Sequence, residues 1–159
     1  MNYHPKVMIV EDEGIFSLDM QMLLTLGGFV VEGVDNAEDA LRQIESGKPD
    51  LVLMDIHLKG GMDGVDLASI IRTRYDLPVI FVTAHANAEI LERARMTEPA
   101  GFLVKPVSRD TVKATIAMAL HNHRMKCERS RQRFNDHDFG VVASSNLPPP
   151  GQPGVEHAP

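Results

Sequence analysis

The sequence predicts an α/β protein in which five strands of one parallel sheet alternate with five helices. Apolar runs at residues 7–10, 51–54 and 79–82 are bounded by polar or turn residues, which is typical of strands buried on both faces. Between these runs, apolar residues recur every three or four positions, the spacing of a helix with one buried face. Alternation of the two patterns favours a parallel sheet covered by helices on both faces.

Each predicted element is delimited by residues that start or stop it. Asn36 and Ser108 are N-cap candidates, because their side chains can accept hydrogen bonds from the free N–H groups of a first helical turn. The Gly27-Gly28 pair and Pro78 mark helix ends, since glycine accepts the left-handed conformation and proline lacks a backbone donor. The predicted strands cover residues 7–10, 29–34, 51–54, 79–82 and 101–104, and the helices cover residues 15–26, 37–45, 65–77, 86–96 and 109–133.

The 159 residues allow one ordinary domain of about 100–150 residues and a tail. We expect the domain to occupy residues 5–122 and a basic helical extension to cover residues 123–134. This extension is interpreted either as a solvated continuation of the last helix or as a linker or partner-binding element. Residues 135–159 form a proline-rich tail that is predicted to be disordered, because such sequence buries too little apolar surface to fold.

Composition argues against several classes of protein. Cys127 is the only cysteine, so an internal disulfide is excluded and a reducing, cytoplasmic location is expected. No apolar run reaches the roughly 20 residues needed to span a bilayer, and the first residues lack the apolar core of a signal peptide. A formal charge of -6 argues against nucleic-acid binding, which needs clustered Lys and Arg. We therefore expect neither a membrane nor a nucleic acid as a partner.

Reactive side chains follow the predicted strands, at the edge of the sheet where parallel α/β folds bind ligands. They are Glu11, Asp12, Asp55, Thr83 and Lys105. Carboxylates that converge repel one another unless a hard cation binds between them, and oxygen ligands of this kind suit Mg²⁺. One carboxylate can act as a nucleophile toward a phosphoryl group, whose oxygens a metal, a lysine and a hydroxyl then stabilise. The residues thus predict phosphoryl chemistry at this edge.

Four motifs carry a resemblance to a known family: Val10–Glu13, Met54–Ile56 with the glycine-rich residues 60–64, Thr83-Ala84, and Phe102–Pro106. In these motifs, and in their order and spacing, the chain resembles the receiver domain of two-component response regulators. The resemblance covers roughly residues 5–122. It implies a flavodoxin-like, doubly wound sheet with strand order 2-1-3-4-5, followed here by an extended last helix.

The resemblance also implies a role for each site residue. Asp55 would accept a phosphoryl group from a phosphohistidine on a sensor histidine kinase or phosphotransfer protein. Glu11, Asp12 and Asp55 would hold Mg²⁺, with the backbone carbonyl of His57 as a further ligand. Lys105 would pair with the acceptor carboxylate and then with the phosphoryl group. Glu11 stands where aspartate is common in the family, so its carboxylate reaches one methylene further.

A conformational switch is implied as well. Thr83 would move toward the phosphoryl group and let the ring of Phe102 turn inward, which would reshape the surface beside the fourth helix and last strand. The Lys105–Pro106 bond is expected to be cis. His57 and His85 occupy positions that tune dephosphorylation in the family, although solvated loop histidines with no role are an equal interpretation.

The resulting hypothesis is a phosphorylation-dependent signalling module, with no enzymatic activity beyond self-catalysed phosphotransfer and autodephosphorylation. We expect no DNA-binding output domain in this chain, so output passes to an unknown downstream protein or fused domain; a homodimer is compatible. One alternative is a module of a hybrid or multidomain sensor kinase. A haloacid-dehalogenase-like phosphatase would need a second aspartate at the position of His57. A flavodoxin-like nucleotide binder would need a phosphate-cradling loop in place of Glu11–Glu13.

Overall fold

The computed structural model describes residues 3–84 and 87–144 of the chain. Strands and helices alternate through most of this length. The strands are β1 Lys6–Val10, β2 Val30–Val34, β3 Leu51–Met54, β4 Val79–Thr83 and β5 Gly101–Val104. The helices are α1 Gly14–Leu26, α2 Ala37–Gly47, α3 Gly64–Tyr75, α4 Ala88–Met96 and α5 Arg109–Ser144.

The five strands form one parallel sheet in the order β2-β1-β3-β4-β5, which confirms the predicted fold class. β1 lies between β2 and β3, with Val10 opposite Val34 on one side and Met54 on the other. The ladder extends one residue further, because the Asp55 N–H donates to the Val10 carbonyl at 2.9 Å. All strands therefore deliver their carboxyl ends to one edge, where the chain leaves the sheet.

The core consists of two apolar clusters, one on each face of the sheet. Successive residues of a strand point to opposite faces, so Val7 and Ile9 belong to one cluster and Met8 and Val10 to the other. The first cluster packs under α1 and α5, and the second under α2, α3 and α4. Since both faces are covered, β3 is apolar at every position, and β1 and β4 are apolar except for Lys6 and Thr83, which is the pattern that the sequence displayed.

Polar caps explain where α2, α4 and α5 begin. Both predicted caps accept a hydrogen bond from a backbone N–H of the first helical turn. Asn36 accepts from the Asp39 N–H at 2.9 Å, and Ser108 accepts from the Thr111 N–H at 3.2 Å. Asn87 caps α4 in the same way, so this helix begins at Ala88 rather than at residue 86. Its cap had not been predicted.

The chain divides into two compact units after His123. The first holds the sheet, α1 to α4 and the start of α5. In the second, α5 is helical up to Ser144, whereas the sequence predicted a disordered tail from residue 135. Residues 135–144 contain no proline, so nothing removes a backbone donor from this part of the helix; the proline-rich composition begins at Pro148. Residues 145–159 lie outside the described residues.

Among residues 3–84 and 87–144, no helix combines the length and the apolar character that a bilayer-crossing segment requires.

Candidate functional site

The carboxyl edge of the sheet collects the predicted site residues. Glu11 follows β1, Asp55 follows β3, Thr83 ends β4 and Lys105 follows β5. Three of these residues are buried: the relative solvent exposure is 3% for Glu11, 7% for Asp55 and 1% for Thr83. Buried polar side chains at a strand end require partners, since an unpaired one costs free energy. The convergence expected from the sequence is present in the structure.

Three carboxylates form the centre of the site. One oxygen from each of Glu11, Asp12 and Asp55 lies within 4.8 Å of the others. Each carboxylate accepts a hydrogen bond from a nearby backbone N–H, which limits its rotation. These bonds are Glu13 N–H to Glu11 Oε1 at 3.2 Å, Lys59 N–H to Asp12 Oδ2 at 2.9 Å, and His57 N–H to Asp55 Oδ1 at 3.2 Å.

Crowding of the acids changes the proton affinity of Glu11. Burial, and then the charge of Asp55, raise the pKa of the Glu11 carboxyl to about 7 from 4.5. The hydrogen bond and positive charge of Lys105 act in the opposite direction without cancelling the rise. A bound cation would favour the ionised form, so the site is electrostatically suited to one.

Lys105 pairs with Glu11 in the structure. Its ammonium lies 3.1 Å from Glu11 Oε2 and 3.9 Å from the centre of the Phe16 ring. The resemblance implied a pair between Lys105 and Asp55, so this contact differs from the expectation. Glu11 is the most deeply buried of the three acids and is one methylene longer than aspartate, which lets its carboxylate meet the lysine.

The loop after β3 approaches the strand end so closely that it requires glycine. A Cβ at Gly64 would lie 1.9 Å from the Asp55 carbonyl oxygen, far inside contact distance. Gly60 has a φ of 118°, a conformation that residues with side chains rarely adopt. The sequence showed a glycine-rich loop here, and the structure gives the reason: the loop folds back onto the backbone of Asp55.

The two residues expected to form a switch lie on neighbouring strands: Thr83 ends β4, and Phe102 is the second residue of β5. The Lys105 N–H donates to the Thr83 carbonyl at 2.8 Å, which joins these two strand ends. Phe102 is half-buried, and its ring centre lies 6.2 Å from that of Phe81 at a tilt of 55°. The Lys105–Pro106 bond is cis, as predicted. His57 is exposed, and His85 lies outside the described residues.

Two contacts of the site were not predicted. The spacing of Phe16 with Met20 and Leu24 predicts a buried stripe on the first helix, so packing alone explains Phe16 at the level of sequence. In the sequence, Lys59 is one residue of a polar loop, yet in the structure its backbone N–H donates a hydrogen bond to the Asp12 carboxylate. Both contacts join residues distant in sequence, so no local pattern identifies them.

The donor set fits a magnesium ion. Carboxylate oxygens from three residues converge, and Mg²⁺ prefers oxygen ligands. Two of the three acids are buried, so a cation there would offset charge that solvent screens poorly.

Comparison with known proteins agrees with this geometry. Residues 7–117 match the family model described as the response regulator receiver domain. The chain belongs to this family. It is a receiver domain of a two-component response regulator, and receiver domains are signalling modules that interact with histidine kinases and downstream domains.

Curated relatives of the receiver domain include bacterial regulators. The transcriptional regulatory protein PdtaR of Mycobacterium tuberculosis is 32% identical over 120 residues, which are 75% of this chain and 58% of the relative. The phyllosphere-induced regulator PhyR of Methylorubrum extorquens is 33% identical over 117 residues, which are 72% of this chain and 43% of the relative. The chain therefore spans about half the length of these relatives.

Solved structures are also similar. The signal receiver domain of a modulated diguanylate cyclase from Desulfovibrio desulfuricans is 37% identical, with a TM-score of 0.75 over 78% of this chain and 99% of that chain. The N-terminal domain of a response regulator/sensory box/GGDEF 3-domain protein from Carboxydothermus hydrogenoformans is 33% identical, with a TM-score of 0.71 over 77% of this chain and 98% of that chain. In both comparisons, more than a fifth of this chain lies outside the match.

Proposed function

We propose that this receiver domain accepts a phosphoryl group on Asp55 from the phosphohistidine of a sensor histidine kinase or phosphotransfer protein, and that phosphorylation switches a protein-interaction surface. The observation that carries the proposal is the convergence of Asp55 with two further acids and Lys105 at one edge of the sheet. Such a set combines a nucleophile, ligands for a metal and a cation for the transferred charge.

Three carboxylates, those of Glu11, Asp12 and Asp55, are proposed to hold Mg²⁺ together with the backbone carbonyl of His57. When bound, Mg²⁺ stabilises the negative charge on the oxygens of the transferring group. The N–H groups that hold the carboxylates keep their oxygens together, so the ligands need little reorganisation.

In the proposed transfer, a carboxylate oxygen of Asp55 forms a bond to phosphorus while the bond from phosphorus to the donor imidazole nitrogen breaks. The imidazole leaves with the electron pair, and the negative charge of the phosphoryl oxygens comes to Asp55. Lys105, which pairs with Glu11 in the structure, then exchanges Glu11 for a phosphoryl oxygen, a move favoured by the negative charge of the phosphoryl group.

The switch is proposed to start at Thr83, whose hydroxyl would donate a hydrogen bond to the phosphoryl group. Thr83 is joined to the start of the segment after β5 through the Lys105 N–H, and Phe102 lies three residues before Lys105. A shift at Thr83 is therefore transmitted to the half-buried ring of Phe102 and to the surface of β5. His57 and His85 are proposed to modulate how long the phosphoryl group persists.

A second candidate is the same receiver acting as one module of a larger sensor protein. The similar structures at 37% and 33% identity belong, by their descriptions, to a diguanylate cyclase and a three-domain protein. The chain also spans about half the length of curated relatives. In this case the basic residues after His123 would connect the receiver to a further domain. A phosphatase of the haloacid dehalogenase type is disfavoured, because His57 stands where its acid/base aspartate is required.

The proposal is tested by incubating the chain with Mg²⁺ and acetyl phosphate and measuring intact mass. We expect a single phosphoryl adduct on the wild type, none on Asp55→Asn, and an unchanged adduct on Asp35→Asn, which alters an exposed acid of the β2–α2 loop. An adduct that persists on Asp55→Asn would assign the acceptor elsewhere. Failure of the wild type to form any adduct at saturating donor would contradict phosphoacceptor function.

A further inference from the structure

The ammonium group of Lys105 lies against the face of an aromatic ring. Its Nζ is 3.9 Å from the centre of the Phe16 ring and 3.1 Å from Glu11 Oε2. The Lys105 side chain keeps 13% of its exposure, and that of Glu11 keeps 3%. A cation over a ring face is attracted by the ring quadrupole, and the attraction strengthens when water is excluded. The lysine is thus held by an anion and by an aromatic face.

The fold presents this ring to the site from α1. Phe16 lies in the first turn of α1, directly after the acidic residues that follow β1. Its ring is half-buried and packs against the apolar cluster that contains Met20 and Leu24. Phe16, Glu11 and Asp55 also line one cavity of about 10 Å³, so the ring adjoins both buried acids. Since α1 is anchored in the core, the ring has a defined position relative to the carboxylates.

We propose that Phe16 is a positioning residue for phosphoryl transfer to Asp55, acting through Lys105. This inference rests on the proposed function. Lysine has a flexible stem and a point charge, so its ammonium has many accessible positions at a strand end. The Phe16 ring restricts these positions and keeps the cation dehydrated beside the acids, from which it reaches the phosphoryl group by leaving Glu11. A side chain of similar size without a ring face packs in the same place but does not attract the cation.

Variants of Phe16 can distinguish the positioning role from a purely packing role. Phe16→Leu removes the ring face and keeps an apolar side chain, whereas Phe16→Tyr keeps the ring. Phe29→Leu is the matched control, because Phe29 is also half-buried and packs against the same apolar cluster. For each full-length chain, we would measure the phosphorylation rate with acetyl phosphate at saturating Mg²⁺. The Mg²⁺ dissociation constant would be measured by titration calorimetry.

We expect Phe16→Leu to slow phosphorylation about fivefold, as loss of a partly dehydrated cation–π contact implies. Phe16→Tyr and Phe29→Leu should stay within about twofold of the wild type, and the Mg²⁺ dissociation constant should be unchanged in all variants. The inference is overturned if Phe16→Leu is as fast as Phe29→Leu, or if its rate loss is matched by an equal loss of Mg²⁺ affinity.

Replacement of Phe16 by trifluorophenylalanine keeps the shape of the ring and weakens its quadrupole, which provides a second measurement if the leucine variant does not fold. The fluorinated chain should be slower than the wild type; an equal rate would overturn the inference. Failure of the proposed function itself is distinguishable, because in that case the wild type forms no adduct that depends on Asp55.

Discussion

The two edges of the sheet both carry charged residues, but they organise them differently. At the amino edge, Lys6 Nζ lies 3.4 Å from Glu32 Oε1 and donates to the Gly47 carbonyl at 2.9 Å. The Lys6 N–H donates to Asp50 Oδ2 at 2.8 Å. Each group there has a complementary partner. At the carboxyl edge, the oxygens of three acids lie within 4.8 Å of one another, and Lys105 pairs with one of these acids, Glu11.

This difference teaches that charge balance separates a structural edge from a functional one. The side chains of Lys6 and Glu32 are between a quarter and a third exposed, so solvent still hydrates and screens both charges. Glu11 and Asp55 are buried, and the pKa of Glu11 is raised by burial and by the charge of Asp55. An edge that keeps uncompensated acids out of water is destabilising unless a ligand binds there. The following predictions test this contrast, beginning with the largest effect.

Gly64→Ala should lower the free energy of unfolding by about 3 kcal/mol, because its Cβ would meet the Asp55 carbonyl oxygen at 1.9 Å. Gly61→Ala in the same loop meets nothing within 4 Å and serves as the control. At the amino edge, Gly47→Ala meets the ends of the Gln43 and Glu32 side chains, which can move, so its cost should stay under about 1 kcal/mol. Urea denaturation measures all three, and equal stability of the Gly64 and Gly61 variants would contradict the close approach.

The stability of the metal-free protein should fall as pH rises from about 4.5 to about 7. Because the pKa of Glu11 is raised in the folded state, the folded protein keeps a proton that the unfolded chain has already lost in this window. The resulting stability is fully present below pH 4.5 and is lost as pH rises through about 7. Glu11→Gln should flatten the curve, and so should saturating Mg²⁺, which favours the carboxylate. Denaturation in chelator across this range measures the slope; an unchanged slope in the variant would refute the assignment to Glu11.

Matched Asp→Asn changes at the two edges should affect the free energy of unfolding differently. Without Mg²⁺, Asp55→Asn should raise the free energy of unfolding by about 1 kcal/mol, because it relieves repulsion with Glu11. Asp50→Asn should be neutral within about 0.5 kcal/mol, since an amide oxygen still accepts from the Lys6 N–H. Thermal unfolding with and without Mg²⁺ checks both, and Asp55→Asn should also lose the stabilisation by Mg²⁺. Destabilisation of metal-free protein by Asp55→Asn would argue against the crowded acids.

The smallest effect is expected from Glu32→Gln in the middle of β2, whose carboxylate contacts Lys6 at the amino edge. Its ion pair with Lys6 is partly exposed, so its loss should cost about 0.5 kcal/mol or less and should depend weakly on salt. Mg²⁺ affinity, measured by titration calorimetry, should be unchanged. A clear fall in Mg²⁺ affinity would mean that the two edges are coupled through β1 and β2, against the separation drawn here.

Much of the fold was predictable because a strand that is buried on both faces is a continuous apolar run in the sequence. The apolar run 51–54 followed by Asp55 is such a pattern, and the fold and the strand order are confirmed by the structure. Side-chain pairing was less predictable. Lys105 contacts Glu11 and Phe16, and Lys59 holds Asp12, because the packing of distant segments decides which groups meet. The helix up to Ser144 was missed because residues 135–144 were grouped with the proline-rich tail, whose prolines begin only at Pro148.

The central claim is that the crowded acids of the carboxyl edge form a magnesium-dependent phosphoacceptor site at Asp55. Its most direct test is to locate the phosphoryl group by peptide mass spectrometry after incubation with acetyl phosphate, with Mg²⁺ and with chelator. We expect modification of the peptide that contains Asp55 in Mg²⁺ and none in chelator. Modification of another residue, or equal modification of Asp55 in chelator, would contradict it.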